Sequence, residues 1–186
     1  KIAGAPSLTQ PMGTPGPNPG GGYFAQGGHA GAYNNGSNGT ITQPAGGGGG
    51  DGGAGGTSAG NADMSTGSGG GGSNATSPGV GFNAGSGASG IVILRYQIGS
   101  IDSLKASGGN VSFVGSKTVH TFTSSGTFTA NEALTVDYLL VGGGGGASGN
   151  NGSGGGGGGI VAATGAPIPT GPHSITVGSG GAHGTS

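Results

Sequence analysis

The sequence predicts an all-β protein with polyglycine II (three-residue) helices: a small β-sheet unit packed with a glycine-helix bundle, and no α-helix. Three observations predict this. Glycine supplies 55 of 186 residues and proline 10. Apolar and β-branched residues collect in short runs bounded by glycine. Several glycine tracts repeat with a period of three, and no stretch combines i, i+3, i+4 apolar spacing with good helix formers.

So much glycine and proline usually signals an open chain. Disordered chains, however, are normally held apart by charge, and here only 5% of residues are charged, with a net charge of -1. That leaves little defence against self-association. Each glycine fixed in regular structure costs about 0.5–1 kcal/mol relative to alanine, and glycine has no side chain to offset it. Close backbone packing, lattice-like hydrogen bonding and assembly with neighbours are the remaining sources of stability.

Residues 11–90 are nearly all Gly, Ala, Ser, Thr and Asn. "GGDGGAGGT" (49–57) has a period of three, as do Gly81, Ala84, Gly87 and Gly90, and again Gly178, Gly181 and Gly184. Three residues per turn is the geometry of polyproline II, which makes no internal hydrogen bonds and turns its N–H and C=O groups outward. Glycine on the contact faces lets such helices bond backbone to backbone. Collagen is excluded, because strict Gly-X-Y is absent. Residues 1–90 therefore read as a glycine-rich region, and tracts 46–60 and 142–159 as ordered helices bonded between segments.

The strands follow. "GIVILRYQIG" (90–99) is apolar on both faces and then alternates, as a strand buried at one end does. "NVSFVG" (110–115) is a weaker strand. "KTVHTFTSSGTFTA" (117–130) reads as a hairpin about "SSG", with Phe122 and Phe128 facing across it. "LTVDYLLV" (134–141) and "HSITVG" (173–178) complete a β unit over 91–186, interrupted by the glycine tract 142–159. The whole reads as one integrated structural repeat. Its large strand residues, Ile93, Tyr96, Phe122, Phe128, Tyr138, Leu140 and Ile175, are the expected apolar cluster. Tyr23, Phe24, Tyr33 and Phe82 sit in glycine-rich surroundings, either as a sugar-stacking contact surface at loop tips or as wedges between thin glycine helices.

Catalytic and cofactor motifs do not hold up. "GSGASG" (85–90) matches G-x-G-x-x-G but opens a strand instead of a helix. "VGSKT" (114–118) lacks the glycine directly before lysine that a phosphate loop needs, and reads as a turn. His29, His120, His173 and His183 are scattered singly, without compact metal-ligand spacing; His120 shares a face with Phe122 and reads as a packed histidine. Asp51, Asp63, Asp102, Glu132 and Asp137 are equally dispersed. No enzyme activity, cofactor or metal is expected. With no cysteine there is no disulfide framework. Four basic residues without a run exclude nucleic acid as the main partner, and no apolar run approaches the roughly 20 residues of a membrane-spanning helix. Asn35, Asn38, Asn74, Asn110 and Asn151 begin N-x-S/T triplets; turn chemistry explains them better than glycans.

"TVHTFTSSGTFT", "VDYLLVGGGGG", "PHSITVGSGGA" and "GSGASGIVILRYQIG" together resemble the glycine-rich domain of tail fibres and adhesins of bacterial viruses, found also in some bacterial surface proteins. The resemblance spans most of 110–186 plus 81–99. It implies a non-enzymatic fibre or tip domain with stacked glycine helices, at an extracellular or virion surface. In that family the "GIVILRY" strand usually closes the domain; here it precedes the hairpin, a circular permutation. The chain also starts at Lys1 without Met, as a processed chain or a piece of a longer one. The expected role is a self-assembling structural subunit of a fibre, with itself as partner. A tip adhesin for host-surface glycan or protein is the alternative, and an ice-binding protein displaying Thr and Ser rows is a third.

Overall fold

The computed structural model describes residues 14–15, 22–31, 48–53, 56–74, 82–98, 104–149 and 152–184. It is all-β, with no helix among them. Ten strands form in chain order: β1 (Thr14–Pro15), β2 (Gly22–Tyr23), β3 (Ile91–Gln97), β4 (Ala106–Ser107), β5 (Asn110–Val114), β6 (Lys117–Phe122), β7 (Gly126–Ala130), β8 (Leu134–Val141), β9 (Ile160–Ile168) and β10 (Gly171–Ile175). Two antiparallel sheets carry the fold, one of five strands in the order β5-β6-β3-β8-β9 and one of three in the order β10-β7-β4; β1 and β2 form a separate pair.

The central strand β3 is apolar on both faces because both are covered. Val92, Leu94 and Tyr96 point to one side and meet Phe122, Phe128, Ala130, Leu134 and Val136, with Ala106 from the small sheet. Ile91 and Ile93 point to the other, where they pack with Val119 and Val141 beneath Phe24 and Ala25. Strand geometry alternates faces residue by residue, so one cluster cannot hold both sets.

This corrects the expected single cluster. Tyr96, Phe122 and Phe128 are buried in the core between the sheets, and Tyr138 and Ile175 pack against its rim. Ile93 is fully buried, but on the opposite face. Leu140 is exposed. It pairs with Val92 on one side and Val161 of the edge strand on the other, and it lies outside the cluster that the small sheet covers.

The expected hairpin is corrected too. β6 pairs with β3 and β5, whereas β7 pairs with β10 and β4. "SSG" is a corner between sheets, so Phe122 and Phe128 meet across the inter-sheet space and not across a ladder. Ser125 holds that corner: its Oγ accepts from Val177 N–H at 3.0 Å. The true tight hairpin joins β5 to β6 through Gly115, whose φ of 59° suits glycine.

Below the second face lie the glycine segments 24–31, 48–53, 57–63, 66–74, 82–90, 142–149, 152–159 and 176–184. Their backbone hydrogen bonds run between segments and recur every three residues. Gly50 and Gly53 donate to Gly69 and Gly72; Gly69 and Gly72 donate to Gln26 and His29; Gly152, Gly155 and Gly158 donate to Ser73, Gly70 and Gly67. Segment 66–74 is buried throughout. It bonds to 24–31, 48–53, 57–63, 82–90, 142–149 and 152–159, six neighbours among the described residues. A Cβ built on Gly70 would overlap the Gly85 carbonyl, and one on Gly71 the Asp51 carbonyl, so these backbones sit too close for any side chain. Residues 46–47, 54–55 and 150–151 of the two expected tracts lie outside the described residues.

Candidate functional site

The hydrogen-bond register gives the glycine layer two distinct ends. At one end, segments 82–90, 142–149 and 152–159 join β3, β8 and β9 directly. Segments 24–31 and 48–53 run parallel to 66–74, and 82–90 and 152–159 run against it. Glycine tracts therefore leave the sheet, cross the layer and return. The far end gathers Gly31, Gly53, Ser73, Phe82, Gly149, Gly152 and Gly184. Ser73 Oγ donates to Phe82 O at 2.7 Å, Gly152 N–H to Ser73 O at 3.2 Å and Gly31 N–H to Gly152 O at 3.3 Å. Asn74 and Phe82, and Gly149 and Gly152, which flank residues 75–81 and 150–151 outside the described residues, lie there. Asn74 is 1% exposed, and neither its amide nitrogen nor its oxygen has a hydrogen-bond partner.

A second polar cluster lies between the sheets. His120 on β6 is fully buried, flanked by Tyr96 with ring centroids 5.5 Å apart and by the Phe128 edge at 5.1 Å. Its Nδ1 lies 2.7 Å from Gly108 O, and its Nε2 lies 3.0 Å from Tyr96 Oη. A carbonyl only accepts, so Nδ1 carries the proton and Nε2 accepts from the tyrosine hydroxyl. Burial pushes the imidazole below its ordinary pKa, against the Gly108 hydrogen bond. Burial also raises the Tyr96 phenol, opposed by hydrogen bonds with Thr118 and the Ala106 backbone. Gly108 reaches the ring with φ 110°, a left-handed conformation that glycine alone adopts freely. The packed reading of His120 describes this geometry, and the ring is closed to solvent and to any ligand.

A third polar contact spans the sheet. Arg95 Nη2 donates to Asp137 Oδ2 at 2.7 Å, and Gly165 N–H donates to Asp137 Oδ1 at 3.1 Å. Asp137 stands at the β8–β9 register shift between Val136 and Tyr138, so its carboxylate pins the bulge to both neighbouring strands.

The other singled-out residues do not converge on a reactive centre. Ser86 Oγ and His183 Nδ1 are 3.1 Å apart, but among the described residues no carboxylate bonds the imidazole. His173 Nε2 faces Pro169 O at 2.9 Å. Among the described residues no three His, Asp or Glu side chains group as metal ligands, and no helix is long and apolar enough to cross a membrane. Of the four aromatics, Phe24 packs under Ile93 as a wedge, Tyr23 is exposed, Phe82 is half-buried at the far end, and Tyr33 lies outside the described residues. Sequence reasoning missed the far-end gathering, because segment direction is set by pairing. Ser73 and Asn74, side by side after a run of glycine, carry no such signal.

A family described as a glycine-rich domain matches residues 122–186, from the end of β6 to the end of the chain and about a third of its length. No curated protein and no solved structure matches the chain.

Proposed function

We propose that the chain is a non-enzymatic structural module of an extracellular or virion fibre, in which a polyglycine II bundle, capped by the sheets, holds loops at its far end toward a surface ligand. The observation that carries the reading is the three-residue recurrence of hydrogen bonds from segment 66–74 to six neighbours. Three residues per turn with every polar group directed outward is the polyglycine II arrangement, and it binds segments through backbone alone. A rigid layer without side chains is a poor place for chemistry and a good support for loops, where recognition usually resides.

Both faces of the central strand β3 are covered within one chain. A neighbouring copy is therefore not needed to complete it, which favours the loop-presenting module over a repeat that is finished only by the next subunit. At the far end Ser73 and Asn74 are buried and Phe82 is half-buried, and a partly open aromatic ring suits stacking on a neutral glycan better than binding an ionic partner.

The test replaces 75–81 and 150–151 with Gly-Ser segments of equal length. Wild-type protein is expected to be retained on immobilised cell-envelope glycans. The folded replacement should not be. Equal retention of both, or retention of neither together with end-to-end filaments in electron micrographs, would replace loop display with a pure spacer role.

A further inference from the structure

Among the described residues the five-stranded sheet ends in β5 on one side and β9 on the other, and the two edges differ. β5 is five residues long and is followed on the next strand by Lys117, opposite Val114. β9 is nine residues long and bears no charge. Beyond Asp137 the chain contains no Asp, Glu, Lys or Arg at all. At the start of β9, Ile160 is 51% and Val161 55% exposed, and Leu140, the cross-strand partner of Val161, is 37% exposed.

An edge strand offers a row of unpaired N–H and C=O groups, and proteins normally blunt it with charge, proline or a bulge. Here the bulge and Pro167 blunt only the distal half of β9. Pro167 has no N–H to donate, and the register shift falls opposite Asp137. Residues 160–163 keep a regular ladder, large β-branched side chains and no gatekeeper.

We infer that β9 pairs antiparallel with β9 of a second copy about Val161, with Val161 opposite Val161 and Ile160 opposite Ala162, joining two five-stranded sheets across a twofold axis. The backbone ladder specifies a strand as the occupant. The charge pattern specifies which: a copy of this edge meets no like charge, while a charged partner strand would find nothing to pair with on this side of the molecule. A twofold keeps the same face of each sheet on the same side, so the exposed Val161 and Leu140 of one copy come up against those of the other. The contact is closed and stops at two chains. It does not depend on what the far-end loops bind.

The experiment is sedimentation of the full chain from micromolar to millimolar concentration, combined with amide exchange. Wild type is expected to reach twice the chain mass and no more, with the 160–163 amides protected at high concentration. Val161→Lys places two ammonium groups face to face and should raise the dissociation constant at least about tenfold, exposing those amides while leaving the melting temperature of the dilute, monomeric chain unchanged. Phe113→Lys, on the β5 edge, should leave the dimer intact. A wild type that stays monomeric, a Val161→Lys variant that dimerises equally well, or a mass that keeps growing and is cut back by Phe113→Lys would overturn the β9 pairing.

Discussion

Tyr96 hydroxyl donates to His120 Nε2 at 3.0 Å, at the junction of the two sheets. The bond exists only while the imidazole is neutral. The ring also touches the Phe128 edge, so one side chain joins β3, β6 and β7 and couples the small sheet to the large one.

Acid should therefore loosen that junction first. The folded pKa of His120 is lowered from 6.5 by burial, so the unfolded chain binds more protons as pH falls below that value. Stability is complete above about 6.5 and is lost as pH falls through the lowered folded value. Urea unfolding across this range should show the loss, and His120→Phe should be less pH-dependent. Because that variant removes the hydrogen bond from the Tyr96 hydroxyl and the partner of the Gly108 carbonyl, it should cost about 1–3 kcal/mol at neutral pH.

A second acid step belongs to Asp137. The hydrogen bond from Arg95, above all, holds its carboxyl below the usual carboxylate value, against burial and with help from Gly165 N–H and the charges of Arg95 and Lys117. Its contribution is present above the unfolded value of 3.8 and disappears as pH falls through the lowered one. The pair is partly open to solvent, with side-chain exposures of 25% and 19%, so Asp137→Asn should cost only about 0.5–1 kcal/mol. Its clearer mark would be faster amide exchange at Gly165, and unchanged exchange there would show that the bulge does not need the carboxylate.

The glycine layer makes a sharp contrast between positions. Gly70→Ala drives a Cβ into the Gly85 backbone, whereas Gly156 and Gly159 have nothing within 4 Å of the same atom. Gly70→Ala should destabilise by several kcal/mol, in the range of severe overpacking at about 1–3 kcal/mol or more. Gly156→Ala should be neutral or add about 0.4–1 kcal/mol through the unfolded state. Gly53→Val, whose Cβ meets the Thr57 carbonyl, belongs with Gly70. Thermal melts of the three variants check the ordering, and equal behaviour would mean that the segments do not pack backbone to backbone.

Asn74 offers a gain. Both its amide atoms are buried without a partner, and such groups cost about 1–3 kcal/mol. Asn74→Leu removes the unpaired groups at similar volume and should raise the melting temperature. The same burial closes the N-x-T triplet at Asn74 to glycosylation, while Asn110 is exposed. Mass spectrometry after secretion from a glycosylating host should find no glycan on Asn74.

By itself the sequence determined that the described residues form strands and glycine segments and no helix. Glycine-bounded β-branched runs marked β3, β5 and β8 close to their true limits, and the recurrence of glycine at three-residue steps marked segments that bond outward. Both properties are local: side-chain branching and backbone freedom act within a few residues. Tertiary structure decided the partners. β6 and β7 look like a hairpin because their Thr and Phe alternate about "SSG", yet β6 pairs with β5 and β3, and β7 with β10 and β4. Ile93 and Tyr96 look like members of one cluster, yet they stand an odd number of positions apart and so face opposite layers. β9 was nearly invisible, because Ala, Thr and Gly fill its middle and only Ile160 and Val161 announce it. An extended segment directs its hydrogen bonds sideways, to whatever chain lies alongside, and nothing in its own residues names that neighbour. Register, face and the far-end gathering of loops are therefore fixed only when all segments pack at once.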